Sequence, residues 1–301
     1  MPRIFIDGEA GTTGLDIKAR LKAQNIALIS IDPAQRKDPK ARLEKMISAD
    51  LVVLCLPDDA AREAVNMLAG YPEIRVLDAS SAHRVAPDWV YGFPEIAASQ
   101  ARHIAQASRV SNPGCYPTGA IALLRPLVDA GLLPSDIRLT INAVSGYSGG
   151  GHRVIEQHAR DGGPAFALYA LELEHKHVPE IMRHAGLSHR PVFVPSVGHF
   201  ARGMIVSIPL HLDQLGAITS EDLRQCLRAA YRQSRFIRVA DDPSRRLTAD
   251  ALAGEDILEL RVHGNDARRH AVLTARLDNL GKGASGAALQ NIRLMLGKAA
   301  V

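Results

Sequence analysis

The sequence predicts an α/β protein whose first third is built on a parallel sheet, and three observations carry that prediction. A short apolar strand, Ile4, Phe5 and Ile6, opens the chain and runs directly into a loop with glycines at 8, 11 and 14. A second apolar stretch, residues 26–31, follows after one helical span. A third, residues 51–57, is apolar throughout up to Pro57, as a parallel strand covered on both faces should be.

Taken in order, the first helix is marked by Leu15, Ile17 and Leu21. The loop before it reads GxxGxxG, a relative of the dinucleotide fingerprint, in which small residues let backbone N–H groups approach a pyrophosphate at a helix N-terminus. Gly8, Gly11, Thr12, Thr13 and Gly14 are therefore candidate cofactor contacts. Beyond the second strand, such domains carry an acid for a ribose 2′-hydroxyl or a base for a 2′-phosphate. Asp32, Arg36 and Lys37 stand there, and the basic pair points to NADP over NAD. Cys55 falls inside the third strand and reads as core. A fourth strand, residues 76–78, leads into a polar loop containing Ser80, His83 and Arg84, at the strand end where these sheets bind ligands.

The segment from Ser111 to Gly119 places a lone thiol, Cys115, between turn residues and an apolar helix marked by Ile121, Leu124, Leu127 and Val128. Proline favours a first helical turn, so the helix is expected to begin near Pro117. Amide groups at that end favour a thiolate, so Cys115 reads as a nucleophile; the alternative is a small buried hydrophobe. Strand-like stretches at 139–144 and 204–210 are separated by turn signals, and Pro179 begins a short helical pattern through Ile181 and Met182. The final span, 286–296, has helical spacing at Ala288, Ile292 and Met295.

Composition narrows the class. The chain has 301 residues, 47% hydrophobic and 23% charged, which suits one large or two medium globular domains. Its net charge of +4 is scattered rather than clustered with aromatics, which argues against nucleic acid. The three cysteines show no paired or metal-type spacing, consistent with a reducing, cytoplasmic address. No apolar run reaches membrane-spanning length, and the early first strand leaves no room for a secretory leader.

The glycine loop, the 78–84 loop, Tyr91 to Glu95 and the cysteine segment occur in this order. They are followed by Ser145 to Gly151, His175-Lys176-His177-Val178-Pro179-Glu180 and Asp278 to Ala284. The chain thereby resembles the shorter form of the N-acetyl-γ-glutamyl-phosphate reductase family, within the aspartate-semialdehyde dehydrogenase superfamily, over essentially its whole length. The resemblance implies a Rossmann-type dinucleotide-binding domain, residues 1–114 and 280–301, completed by a returning C-terminal helix. It implies an α+β catalytic and oligomerisation domain at 115–279, and a homo-oligomer, dimer or tetramer.

The implied activity is NADPH-dependent reduction of an acyl phosphate through a cysteine thioester, with no metal. The acid/base lies in the 175–180 segment, His175 first and His177 second, beside Glu180. Substrate contacts fall to Arg84, Asn112 and Arg202, and Ser80 joins the cofactor set. A sibling reductase acting on β-aspartyl or N-acyl-aminoadipyl phosphate would share these parts. A non-catalytic dinucleotide sensor would not need the thiol, and a cysteine hydrolase would not need the glycine loop.

Overall fold

The computed structural model describes residues 2–241 and 244–298. The outer ends of the domain reading above, residue 1 and residues 299–301, lie outside the described residues, as do 242 and 243 within its second part. The chain forms two compact units, Met1–Pro113 with Ala284–Val301, and Gly114–Gly283.

In the first unit, β1 (Arg3–Asp7), β2 (Ala27–Ile29), β3 (Leu51–Leu54), β4 (Arg75–Asp78), β5 (Val90–Tyr91) and β6 (Arg109–Ser111) form one sheet. Their order is β2-β1-β3-β4-β6-β5, with every pair parallel. Helices α1 (Thr12–Ala23), α2 (Pro39–Ile47), α3 (Asp58–Met67) and α4 (Gln100–Gln106) connect them. Alternate side chains of a strand point to opposite faces. Ile4 and Ile6 therefore join Ile17, Leu21, Ile104 and the C-terminal helix Gly286–Met295 in one core, while Phe5 joins Met46, Ala61, Ala64 and Leu68 in another. Strand β3 contributes to both and is buried at all four positions. The C-terminal helix is anchored by Ala288 and Ile292, both 0% exposed. Truncating Ile292 to Ala would cost about 2–5 kcal/mol.

Strand order reverses between β1 and β3, and the loop after β1 carries the glycines. A crevice at such a switch point is where open parallel sheets hold ligands. Several boundaries differ from expectation, and strand β3 ends at Leu54 rather than at Pro57, where α3 is about to begin. Helix α1 begins at Thr12 rather than Leu15, because Gly11 takes the extended N-cap conformation. Strand β2 stops at Ile29, because the chain turns where the Asp32 side chain accepts from the Ala34 amide and starts a short turn at Pro33.

The second unit is a seven-stranded mixed sheet in the order β11-β12-β13-β10-β7-β9-β8. Its strands are β7 (Thr140–Gly146), β8 (Phe166–Leu168), β9 (Val192–Gly198), β10 (Met204–His211), β11 (Ile237–Val239), β12 (Leu258–Asn265) and β13 (His270–Leu277). Its helices are α5 (Cys115–Asp129), α6 (His152–Asp161), α7 (Val178–Ala185) and α8 (Ser220–Tyr231). Helix α5 lies flat on the sheet, so close that a Cβ at Gly119 would stand 3.0 Å from Val206 Cγ2 and 3.1 Å from Ala275 Cβ. Its buried run from Tyr116 to Leu124 explains the apolar spacing in the sequence. Helix α8 packs beside it, with Tyr231 donating to the Ala122 carbonyl at 2.9 Å. Helix α5 starts two residues before the expected Pro117, so Cys115 is itself the first helical residue. Gly114 is the extended N-cap, its carbonyl accepting from the Thr118 amide at 2.9 Å. Pro117 still fits, because the first amides of a helix have no intrahelical acceptor.

Candidate active site

Cys115 stands at the N-terminus of a fifteen-residue helix, where the unpaired amides and the helix dipole favour a thiolate. The backbone around it is held from two sides. Glu180, 1% exposed and in the first turn of α7, accepts the Gly114 amide hydrogen at 2.8 Å. Gly283 packs on the thiol side, where a Cβ would lie 3.1 Å from Cys115 Cβ. Tyr116 and Tyr169 border the thiol electrically. The Tyr169 residue is 38% exposed as a whole, yet burial of its phenol end pushes that group up to about 12, its hydrogen bond to Tyr116 partly opposing this and the Cys115 charge adding to it. Tyr116 is raised further, by burial first, then by Tyr169 and Cys115.

The two histidines join this cluster through the tyrosines. Tyr116 lies edge-on to His175 and His177, with ring centroids 6.1 and 5.9 Å away, and Tyr169 is 5.8 Å from His175. Tyr169 donates to the Tyr116 oxygen at 3.0 Å, and Tyr116 donates to the Ser196 carbonyl at 3.0 Å. His177 caps α7, preceding the Val178–Pro179 start, and is 7% exposed. Its backbone N–H donates to His175 Nδ1 at 3.1 Å. An N–H donor requires an unprotonated Nδ1, so neutral His175 carries its proton on Nε2. Neither tyrosine was singled out from sequence. Tyr116 adjoins the thiol and could have been, whereas Tyr169 sits in a span of exposed apolar residues, Phe166, Leu168, Leu171 and Leu173, that gives no sign of a site.

In the first unit a cavity of about 340 Å³ is lined by Gly8, Glu9, Ala10, Arg36, Lys37 and Arg42, among others. Gly8 has φ +87°, and a Cβ there would meet the Cys55 carbonyl at 2.3 Å; one at Gly14 would meet the Gly8 carbonyl at 2.5 Å. Gly11 differs, for its Cβ would meet nothing nearer than 3.6 Å, so the space in front of it is open. Thr12 Oγ1 and Arg36 Nε are buried without a hydrogen-bond partner among the described residues. These features fit a dinucleotide: open space at a helix N-terminus for the pyrophosphate, and a hydroxyl and a guanidinium N–H ready for phosphate oxygens. Burial draws Glu9 upward, but Lys18 and Arg36 outweigh it and hold its carboxyl below the usual range. Beneath the cavity Arg42 donates to Asp7, at 2.8 Å through Nη2, yet burial still raises the Asp7 pKa.

The remaining candidates are tied into turns. Ser80 donates to Asp78 Oδ2 at 2.7 Å and accepts from the Ala82 amide, while His83 Nδ1 meets the same carboxylate oxygen at 2.7 Å. Arg84, 9% exposed, donates to the Asn112 and Ala79 carbonyls. The Asn112 amide donates to the Ala284 carbonyl and accepts from Asn291, which braces the end of β6 against the C-terminal helix. Arg202 pairs with Asp278 at 2.7 Å, and the adjoining Asn279 accepts from Gly203 and donates to Ser148. Asp278 and Asn279 thus organise the 202–203 turn, a role that their place in the sequence did not disclose.

Residues 12–106 match the semialdehyde dehydrogenase NAD-binding domain, and residues 115–279 match the semialdehyde dehydrogenase dimerisation domain. The chain is 54% identical to N-acetyl-gamma-glutamyl-phosphate reductase 2 of Pseudomonas putida, across 98% of this chain and 97% of that one. It is 53% identical to N-acetyl-gamma-glutamyl-phosphate reductase of Burkholderia cenocepacia, with the same two coverages. The chain belongs to the N-acetyl-gamma-glutamyl-phosphate reductase family. The fold of this reductase-family chain is shared with aspartate semialdehyde dehydrogenase II of Vibrio cholerae at TM-score 0.73 and 16% identity, over 99% of this chain and 98% of that one. It is shared also with the Candida albicans aspartate semialdehyde dehydrogenase solved with NADP, at TM-score 0.70 and 15% identity, over 99% of each chain. Among the described residues no three His, Cys, Asp or Glu side chains are grouped to hold a metal, and no helix is long and apolar enough to cross a membrane.

Proposed function

We propose that this protein reduces N-acetyl-γ-glutamyl phosphate to N-acetylglutamate semialdehyde and phosphate with NADPH, a step of arginine biosynthesis. The observation that carries the reading is Cys115 as the first residue of α5, its turn held by Glu180 and the adjoining Tyr116 set edge-on to His175 and His177, in a chain about half identical to named reductases. Residues 1–114 with 280–301 serve as the dinucleotide part, and 115–279 as the catalytic part. NADP is bound by Gly8, Gly11, Thr12, Thr13, Gly14, Arg36 and Lys37, with Ser80 holding the neighbouring loop.

The Cys115 thiolate attacks the γ-acyl carbon, the bond to the phosphate oxygen breaks, and phosphate leaves with that electron pair, giving a thioester. When bound, the cofactor supplies the hydride that reduces this thioester. His175, through Nε2, steadies the resulting thiohemiacetal oxygen and exchanges its proton as the C–S bond breaks and the thiolate is released, a contribution of about 10²–10⁴-fold. His177 orients His175 through the backbone bond to Nδ1, and Glu180 acts as a positioning residue on the thiol turn. Arg202 receives the substrate carboxylate and Arg84 the phosphate.

Self-association as a dimer or tetramer is supported by the matched dimerisation domain and by the exposed apolar span from Phe166 to Leu173. The three cysteines, none in a disulfide, suit a reducing cytoplasm. The test is the reverse, phosphorolytic assay with NADP and phosphate, comparing N-acetylglutamate semialdehyde with aspartate semialdehyde. The first should be turned over and Cys115→Ala should abolish it while sparing NADP binding. Preference for aspartate semialdehyde, or activity in the Ala variant, would overturn the substrate or the covalent step respectively.

A further inference from the structure

In the second unit a cavity of about 750 Å³ opens beside α8 and strands β10, β12 and β13, and it shares no lining residue with the thiol site. Its wall carries Arg224, Arg228, Arg245, Arg246, Arg261 and His263 against a single lining carboxylate among the described residues, Asp241. The carboxylates that these arginines do meet are shared. Arg228 pairs with both Asp241 and Glu221, and Arg224 pairs with Glu221 as well. Arg261 shares Glu259, 3% exposed, with Arg238 and Arg276, at 3.0, 3.0 and 2.6 Å. Arg245 and Arg246 have no ion pair among the described residues.

Among the described residues, five of these seven guanidiniums share three carboxylates and the other two are left over, so a positive excess is held where low-dielectric walls concentrate its field. The excess registers on His263, whose pKa is lowered by burial and then by Arg261 and Arg224. Thr274 and Ser244 add hydroxyls, and Ile205, Leu247 and Val272 add apolar wall. Guanidinium forks match carboxylate and phosphate oxygens in pairs, and the apolar wall suits a carbon skeleton.

We propose that this recess is a second ligand site, for a small organic anion carrying two or more negative charges, either a polycarboxylate or a phosphate ester. It does not depend on the reductase reading, for none of its residues takes part in that chemistry.

The test is calorimetric titration of the whole protein, saturated with NADP to occupy the dinucleotide pocket, using citrate and inorganic pyrophosphate as probes. Saturable binding near one anion per chain is expected, weakening as salt rises. The double variant Arg245→Ala/Arg246→Ala, made at exposed positions, should bind about tenfold or more weakly, and Arg228→Ala should also bind less tightly, with NADP affinity unchanged. Binding of citrate alone marks the site as one for polycarboxylates, and of pyrophosphate alone as one for phosphate esters. Absence of saturable binding by both probes, or undiminished binding in the variants, overturns the proposal. A change of sedimenting mass in the variants with anion binding intact also overturns it and reassigns the recess to contact with a second copy of the chain.

Discussion

Replacing Glu180 separates holding the thiol from moving a proton, and its size follows from one hydrogen bond. The carboxylate accepts the buried Gly114 N–H at 2.8 Å, one residue before Cys115. A bond to a charged acceptor contributes about 1.5–3 kcal/mol and a neutral one about 0.5–1.5 kcal/mol. Glu180→Gln, which keeps an acceptor in place, should therefore cost about 1 kcal/mol. Glu180→Ala leaves the Gly114 amide buried without this acceptor, a penalty of about 1–3 kcal/mol, and removes packing as well, so about 2–4 kcal/mol is expected. At roughly 2–4 °C per kcal/mol for a unit of this size, the midpoint should fall by about 2–4 °C for Gln and by about 4–16 °C for Ala. The companion assay is alkylation of Cys115 by iodoacetamide across pH, alongside turnover. With the turn loosened, Ala should alter the alkylation profile and reduce turnover by about tenfold or more, and Gln should recover most of both. A Gln variant as stable as the parent yet as inactive as Ala would refute the positioning role and make the carboxylate a proton carrier. An Ala variant of unchanged stability would refute the hydrogen-bond account itself.

Three further outcomes are expected. His175→Asn should slow turnover by about 10²-fold or more and remove an imidazole limb from the pH profile, while His177→Asn should cost less; the reverse ranking would transfer the acid/base role to His177. Arg36→Ala with Lys37→Ala should weaken NADP about tenfold or more while NAD changes little, and equal weakening in fluorescence titrations would end the 2′-phosphate assignment. Tyr169→Phe should change base sensitivity. The phenol is pushed up to about 12 against 10.0 ordinarily although the residue as a whole is 38% exposed, so the folded state keeps a proton that the unfolded chain has begun to lose, to an extent that solvent screening reduces. That stability is fully present below pH 10 and is lost as pH rises through about 12. Urea midpoints of the Phe variant should therefore fall less steeply across this window than those of the parent; identical slopes would show that Tyr169 is not protected.

Local pattern made much of the first unit legible. Apolar alternation and glycine spacing act within a few residues, so Ile4 to Ile6, the glycine loop and the buried third strand could be read directly, with errors only at ends such as Thr12 and Ile29. Cys115 was legible for the same reason, since turn residues before an apolar helix state their geometry locally. Its pairing with the 175–180 segment came from family resemblance, because nothing in either stretch encodes a contact across some sixty residues, the separation of Gly114 and Glu180.

By itself, then, the sequence determined which residue types could do chemistry and on which local elements they sit: a thiol at a helix start, glycines before another helix, two histidines before a third. Tertiary structure alone decided who stands beside them. It set Glu180 on the Gly114 amide, His175 Nδ1 under the His177 N–H, and Tyr169 on Tyr116. It also took up the Asn112 amide in bracing the C-terminal helix and gathered arginines from α8, β11, β12 and β13 around one recess. The reason is physical. Helix and strand preferences depend on neighbours along the chain, whereas hydrogen bonds and ion pairs between distant residues exist only once packing has brought their elements together and excluded the competing water.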